Sequence, residues 1–336
     1  MLPDDYLSLI NPLWSARELR GRVEAVQRET ADAATLVIRP GWGWTGHEAG
    51  QYVGVGVDID GVRHWRTYSL TSPAARCDRL SVTVKAIPNG RVSQHLVHRT
   101  TPGAVLRLRA AQGTFVLPNP VPSRLLFVAA GSGITPVMGM LRTLAARGDM
   151  PDVVLLHSAP TPAAAIFGRQ LHHLCEQFPT LRLHQRHTQT DGRLTLAELP
   201  AWCPDWQQRE VWACGPDQLL DDAERHWQEA GLGDRLHVER FRPPALPAGT
   251  GSANRVRFAK TGREVNADGG TPLLAVGEDA GVVMPSGCRM GICFGCVAPL
   301  TYGQIRDLRT GQVHGEEGEL VQTCVSAAAT PIELDL

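Results

Sequence analysis

Four cysteines toward the C-terminal end carry the most specific chemistry in the sequence. Cys288, Cys293 and Cys296 follow the pattern C-x4-C-x2-C, and Cys324 comes after 27 intervening residues. Thiolates at that spacing suit a [2Fe-2S] cluster, with two on a tight glycine-containing loop gripping one iron and the rest of the constellation the other. The competing use of the same residues is a structural zinc site in a non-enzymatic ligand-binding protein. Zinc sites pair C-x2-C with a second such pair or with histidines, and His314 is the only histidine beyond residue 252. The pattern therefore points to redox chemistry.

Two stretches upstream fit a flavin. Arg66-Thr67-Tyr68-Ser69 offers a cation for a pyrophosphate, an aromatic wall and a hydroxyl for the ring nitrogen N5. Val84-Lys85 then leads into Gly90-Arg91-Val92-Ser93, whose amides and hydroxyl can cradle phosphate. Each has a plainer use, as an alternating strand and as a hairpin turn. Their order on strand-like sequence makes the flavin use the stronger.

A third group fits a pyridine nucleotide. The apolar run Leu125–Ala130 enters Gly131-Ser132-Gly133-Ile134-Thr135-Pro136, a strand-to-helix turn where backbone amides can face a pyrophosphate. Pro136 stands where the dinucleotide fingerprint has its last glycine, so the G-x-G alone is a weak signal. Cys214-Gly215-Pro216 ends a later strand, and Glu239 ends the last. The second strand closes on His157-Ser158 with no carboxylate beside it to bind a ribose hydroxyl, while Arg169 and Arg186 offer cations. NADPH is favoured over NADH on that basis. Arginine is common here, since only Lys85 and Lys260 of the 33 basic residues are lysines, so a single Arg carries little weight.

These groups sit in segments of different pattern. Residues 1–20 form an N-terminal arm with Leu7, Ile10, Leu13 and Trp14 near helical spacing, broken by Pro12; it packs on the next domain or docks a partner. Residues 21–122 hold short β-branched strands between Pro/Gly/Asn turns, which predicts an antiparallel β-barrel. Residues 123–241 alternate strands and helices, which predicts an α/β domain on a parallel sheet with ligand loops at the carboxyl ends of the strands. Residues 242–252 are a Pro/Gly/Ser linker. Residues 253–336 carry the cysteines with seven basic and ten acidic side chains, an acidic balance of the kind that steers redox partners.

Composition removes other classes. A net charge of −1 offers nucleic acid no basic footprint. No apolar run is long enough to span a membrane, and Met1–Asp5 does not open a signal peptide. Scattered Cys77, Cys175, Cys203 and Cys214 beside a metal-type set fit a reducing cytoplasm.

With R-T-Y-S, G-R-V-S, G-S-G-I-T-P, C-G-P and E-R-F in order, residues 1–241 resemble the ferredoxin–NADP reductase superfamily. The remainder resembles a fused plant-type ferredoxin, of β-grasp-like α+β fold. The resemblance implies FAD, with FMN as the alternative, NADPH or NADH, and a [2Fe-2S] cluster. It implies that Arg66 pairs with flavin phosphate, Tyr68 packs on the ring and Ser69 bonds near N5. It gives the pyrophosphate to Gly90–Ser93, sets Thr135 and Cys214 beside the nicotinamide, and lets Glu239 close the site. Phe294 replaces a usual serine, which removes a hydroxyl donor to cluster sulfur and tends to lower the potential.

The N-terminal text, H-W-R-T-Y-S-L at 64–70 and the cluster loop are further similar to bacterial reductases that feed stearoyl-CoA Δ9-desaturases. That likeness implies a monomer passing electrons to a membrane-bound acyl-CoA desaturase, cytoplasmic and peripheral at the membrane only through its partner. A ring-hydroxylating oxygenase, an O-demethylase or a cytochrome P450 are the alternative acceptors. Two electrons would arrive from NAD(P)H at the flavin and leave singly through the cluster.

Overall fold

In a computed structural model the described residues are 10–15, 17–74, 78–241, 253–287, 289, 291 and 294–336. Most of the N-terminal arm, the linker 242–252, Cys77, and the expected ligands Cys288 and Cys293 lie outside them. The chain forms two compact units: the first holds Thr67–Arg240 and the segment up to Gly61, the second Val62–Arg66 and Phe241–Leu336.

The N-terminal part of the chain has strands β1 (Leu19–Arg28), β2 (Ala33–Pro40), β3 (Tyr52–Ile59), β4 (Val62–Ser69), β5 (Leu80–Lys85) and β6 (Val105–Leu108). They pair in the order β4-β3-β6-β1-β2-β5. An antiparallel bridge from Leu70 to Val82 joins the residue after β4 back to β5, which closes the order into a barrel. Inward Val23, Leu36, Ile38, Val53, Val55, Leu80, Val82, Val84, Leu106 and Leu108 fill it. Strand β1 begins inside the stretch assigned to the arm. Of that arm Leu13 is buried, whereas Ile10 and Trp14 are exposed.

The Gly90 segment does not simply turn: it starts helix α1 (Arg91–His98). Val92, Leu96 and Val97 share one face of that helix and bury it on the barrel.

The α/β half has strands β7 (Arg124–Ala130), β8 (Asp152–Ala159), β9 (Leu181–His187), β10 (Glu210–Cys214) and β11 (Leu236–Glu239), ordered β11-β10-β7-β8-β9 and all parallel. Helices α2 (Ile134–Arg147) and α3 (Gly168–Gln177) cover one face, α4 (Asp217–Glu229) the other. Residues of β7 alternate between the two cores, with Leu125, Phe127 and Ala129 on one side and Leu126 and Val128 on the other. Helix α2 starts four residues earlier than its Met138 signal. Pro136 is tolerated because first-turn amides have no intrahelical acceptor to lose.

A fully buried Arg209 locks the amino-terminal ends of the interior strands β7, β8 and β10. It bonds Asp152 and Asp205 at 2.8 Å each and donates to the carbonyls of Leu125 and Asp152.

In the second unit, strands β12 (Asn254–Phe258), β13 (Arg263–Ala267), β14 (Val297–Tyr302), β17 (Leu320–Gln322) and β19 (Ile332–Leu334) pair as β13-β12-β19-β14-β17. A small sheet of β15 (Ile305–Asp307), β16 (Val313–His314) and β18 (Ser326–Ala328) lies beside it. Helix α5 (Leu273–Asp279) packs Leu273, Leu274 and Val276 into their core. Parallel β12 and β19 with a covering helix make the expected α+β, β-grasp-like arrangement.

Candidate redox site

Ser69 ends β4, buried, and its Oγ has no hydrogen-bond partner among the described residues. A buried orphan hydroxyl calls for an acceptor or donor from a ligand, so the residue fits a flavin there. Tyr68 packs half-buried on the barrel core, and Thr67 beside it is partly exposed. Arg66 donates from Nη1 to the carbonyl of Trp65 at 2.7 Å. All four lie within β4.

Val84 is buried in β5, and Lys85 pairs with Asp32 at 3.4 Å, so this lysine is engaged at the strand end. Gly90 is the N-cap of α1. Ser93 Oγ accepts from Ile87 N at 3.2 Å and donates to the Gly90 carbonyl at 3.1 Å. That hydroxyl holds the turn, contrary to its expected use on phosphate. What remains for an anion is the start of the helix, where the amides of Arg91 and Val92 have no intrahelical acceptor. The Arg91 side chain is exposed and pairs with Asp60 at 2.7 Å.

On the nucleotide side, Gly131 has φ of +56° in a turn that only glycine adopts cheaply. A Cβ on Gly133 would run into the backbone of Cys214 and Gly215, so the two loops meet main chain to main chain. Thr135 is buried in the first turn of α2 with Oγ1 donating to Ser132 O at 2.9 Å, next to Pro136. Pro216 caps α4. Ser158 is buried at the end of β8.

Arg186, offered by the sequence for a 2′-phosphate, is engaged: it pairs with Glu198 at 3.0 Å and lies over the Trp202 ring. Arg169 is exposed in the first turn of α3, with no ion pair among the described residues. The buried His157 beside Ser158 was legible only as a strand end. Neither ring nitrogen has a partner among the described residues, and burial with the nearby His187 pushes it down to about 4. It is a neutral imidazole at pH 7.

Cys214 and Glu239 pair across β10 and β11. Burial drives the Cys214 thiol well up, helped by the Glu239 charge. Half-buried Glu239 keeps Oε2 out of water without a partner among the described residues, and burial raises its carboxyl to about 8.

Helix α2 connects the two sides. A Cβ on its Gly139 would collide with the carbonyl oxygen of Leu70, the residue after Ser69. Gly133 touches Cys214 six residues earlier, about 9 Å along a helix axis. Thr135 and the Cys214–Glu239 pair thus lie at the start of α2, and the residue after Ser69 meets the same helix one turn further on.

In the second unit Cys296 and Cys324 are both buried. Thr323 binds the Cys296 carbonyl through its amide at 3.2 Å and its Oγ1 at 2.7 Å, which ties the two segments together. Arg289, Gly291 and Phe294 all have positive φ, giving the loop its tight turns. Two buried thiols behind such a loop fit an iron–sulfur cluster. Phe294 is 66% exposed.

Comparison with known proteins accords with each part. Family models for an oxidoreductase FAD-binding domain, an oxidoreductase NAD-binding domain and a 2Fe-2S iron-sulfur cluster binding domain match residues 32–117, 127–225 and 256–329. An NADPH oxidoreductase of Mycobacterium tuberculosis is 54% identical over 341 residues, covering 100% of this chain and 89% of its own. The ferredoxin reductase component of a 3-ketosteroid-9-alpha-monooxygenase of Mycolicibacterium smegmatis is 30% identical, with coverage of 90% and 89%. The solved structure of phthalate dioxygenase reductase superposes with a TM-score of 0.67 at 25% identity, covering 95% of this chain and 98% of that one.

Proposed function

Because the chain belongs to the ferredoxin-reductase-type NAD(P)H oxidoreductases with a fused 2Fe-2S domain, we propose that it uses NADPH and delivers electrons to a fatty-acyl-CoA desaturase. At the coarser level it is a reductase that moves electrons through FAD and a [2Fe-2S] cluster to an oxygenase. Bound flavin supplies two-electron acceptance and the cluster one-electron delivery. The order along the chain is flavin, nucleotide, cluster, which is not the order in which electrons pass.

The observation that carries the site assignment is the orphan Ser69 hydroxyl on a segment whose next residue meets α2, the helix that starts beside Cys214. Ser69 donates to or accepts from the flavin near N5. Cys214 and Glu239, both holding their protons at pH 7, give the nicotinamide a neutral wall. The amides at the start of α1 and Arg66 take the flavin pyrophosphate, Gly131 to Pro136 the nucleotide's. Cys288, Cys293, Cys296 and Cys324 hold the cluster.

NADPH is supported by exposed Arg169 in the first turn of α3, by the absence of a carboxylate after His157-Ser158, and by the name of the relative at 54% identity. A desaturase acceptor is supported by the likeness of residues 64–70 and 288–296 to desaturase reductases. A ring-hydroxylating oxygenase or demethylase is the second reading. It is favoured by relatives named as reductase subunits of glycine betaine monooxygenase in Pseudomonas aeruginosa and stachydrine N-demethylase in Rhizobium meliloti.

Reconstitution separates them. The holoprotein is mixed with a membrane-bound acyl-CoA desaturase or with a ring-hydroxylating oxygenase, and product is scored per NADPH consumed. Tight coupling to the desaturase alone is expected; equal or better coupling to the oxygenase would overturn the acceptor assignment.

A further inference from the structure

Helix α2 does more than present its first turn to the nucleotide. Two turns further on, it grips the backbone that follows the flavin strand. Arg142 Nη1 donates to the Thr71 carbonyl at 2.7 Å, two residues after Ser69. Thr143 Oγ1 accepts from Ala74 N at 2.8 Å. Gly139 lets the helix backbone meet the Leu70 carbonyl directly. Arg142 is itself held from the far side, where Nη2 donates to Gln170 of α3 and the guanidinium lies 5.0 Å from the centre of the Phe167 ring. Phe167 has φ of +62° and is the N-cap of α3.

We infer that Arg142 is a positioning residue for hydride transfer: it fixes the register of α2 against the Ser69–Ala74 segment, and with it the distance between nicotinamide and flavin. The inference rests on the proposed flavin and nucleotide roles of Ser69 and Thr135. One rigid helix carries Thr135 at its start and the Gly139–Arg142–Thr143 clamp on its side. A slide or tilt of α2 would therefore move the nucleotide relative to the flavin, and an error of about 1 Å in such an alignment can cost on the order of a hundredfold in rate. Arg142 provides both halves of the lock, a charge-assisted bond to the flavin side and a brace on the nucleotide side. Neither ligand needs to touch it.

The test is rapid-mixing reduction of the FAD-loaded full chain by NADPH, followed at the flavin absorbance. For Arg142→Met the limiting rate at saturating NADPH is expected to fall about tenfold or more, with FAD content and nucleotide Kd unchanged. The deuterium isotope effect from C4-labelled NADPH should grow, and Arg142→Lys should recover part of the rate. A wild-type limiting rate in Arg142→Met, whatever its Tm, would overturn the inference. If Arg142→Met does not retain FAD, Thr143→Ala decides: a slower hydride step at full FAD occupancy supports the clamp, and an unchanged rate overturns it. A wild-type chain that NADPH and NADH both fail to reduce would instead overturn the proposed function itself.

Discussion

Cys214 and Glu239 stand opposite one another at the carboxyl ends of neighbouring parallel strands, and both keep their protons at neutral pH. Burial alone holds the Glu239 carboxyl in its acid form, and burial with the Glu239 charge raises the Cys214 thiol. The pair is a neutral surface, although its carboxyl would be charged in water at pH 7.

Stability should therefore depend on pH in a definite direction. Folded Glu239 releases its proton at about 8, against an ordinary value of 4.5. Between those values the unfolded chain loses a proton that the folded chain keeps, so this group's contribution is full below 4.5 and falls as pH rises through about 8. Glu239→Gln removes the titration. Thermal melts across that range should show the wild-type Tm falling more steeply than that of the variant; parallel curves would contradict the burial of this carboxyl.

Ser69→Ala removes the orphan hydroxyl and nothing else that the barrel uses. Flavin reduction by NADPH is expected to slow by about 10- to 100-fold, while FAD content and Tm stay near wild type. Stopped-flow absorbance reads the rate. A full-speed variant would remove Ser69 from the reacting centre.

Arg169→Ala tests nucleotide choice. If Arg169 meets the 2′-phosphate, kcat/KM for NADPH should drop about tenfold or more while that for NADH holds, because a charge-assisted contact of about 1.5–3 kcal/mol is lost for one nucleotide only. Steady-state dye reduction with both nucleotides measures this. Equal losses would place the 2′-group elsewhere.

Cys324→Ser separates the stations. It should abolish the iron–sulfur absorbance and its electron-paramagnetic signal, yet leave NADPH-driven reduction of a two-electron dye within about twofold of wild type. Loss of both activities together would mean that the cluster is needed for the flavin domain to fold or to turn over.

Much of this molecule was legible from local sequence. The C-x4-C-x2-C spacing, the G-S-G-I-T-P turn and the apolar run Leu125–Ala130 are contiguous, and each dictates its own backbone through turn geometry and strand burial. The three domain types followed from changes of hydrophobic period, since a strand repeats at two residues and a helix at 3.6. Helix α1 was missed because Pro88-Asn89-Gly90 reads as a turn, and the burial of Val92, Leu96 and Val97 that makes the helix pay depends on the barrel beneath it.

What tertiary structure alone decided is which side chains are already spent and which are left over. Arg186 offers the same formal charge as Arg169, but Glu198 holds it. Ser93 looks as free as Ser69, yet it closes its own turn while the Ser69 hydroxyl is buried without a partner among the described residues. Arg209 and Arg142 are two arginines among many in the sequence; packing makes one the lock of the sheet's amino-terminal end and the other the brace of α2. The reason is physical: spacing along the chain determines local conformation, whereas desolvation and hydrogen-bond partnership depend on groups brought in from distant sequence.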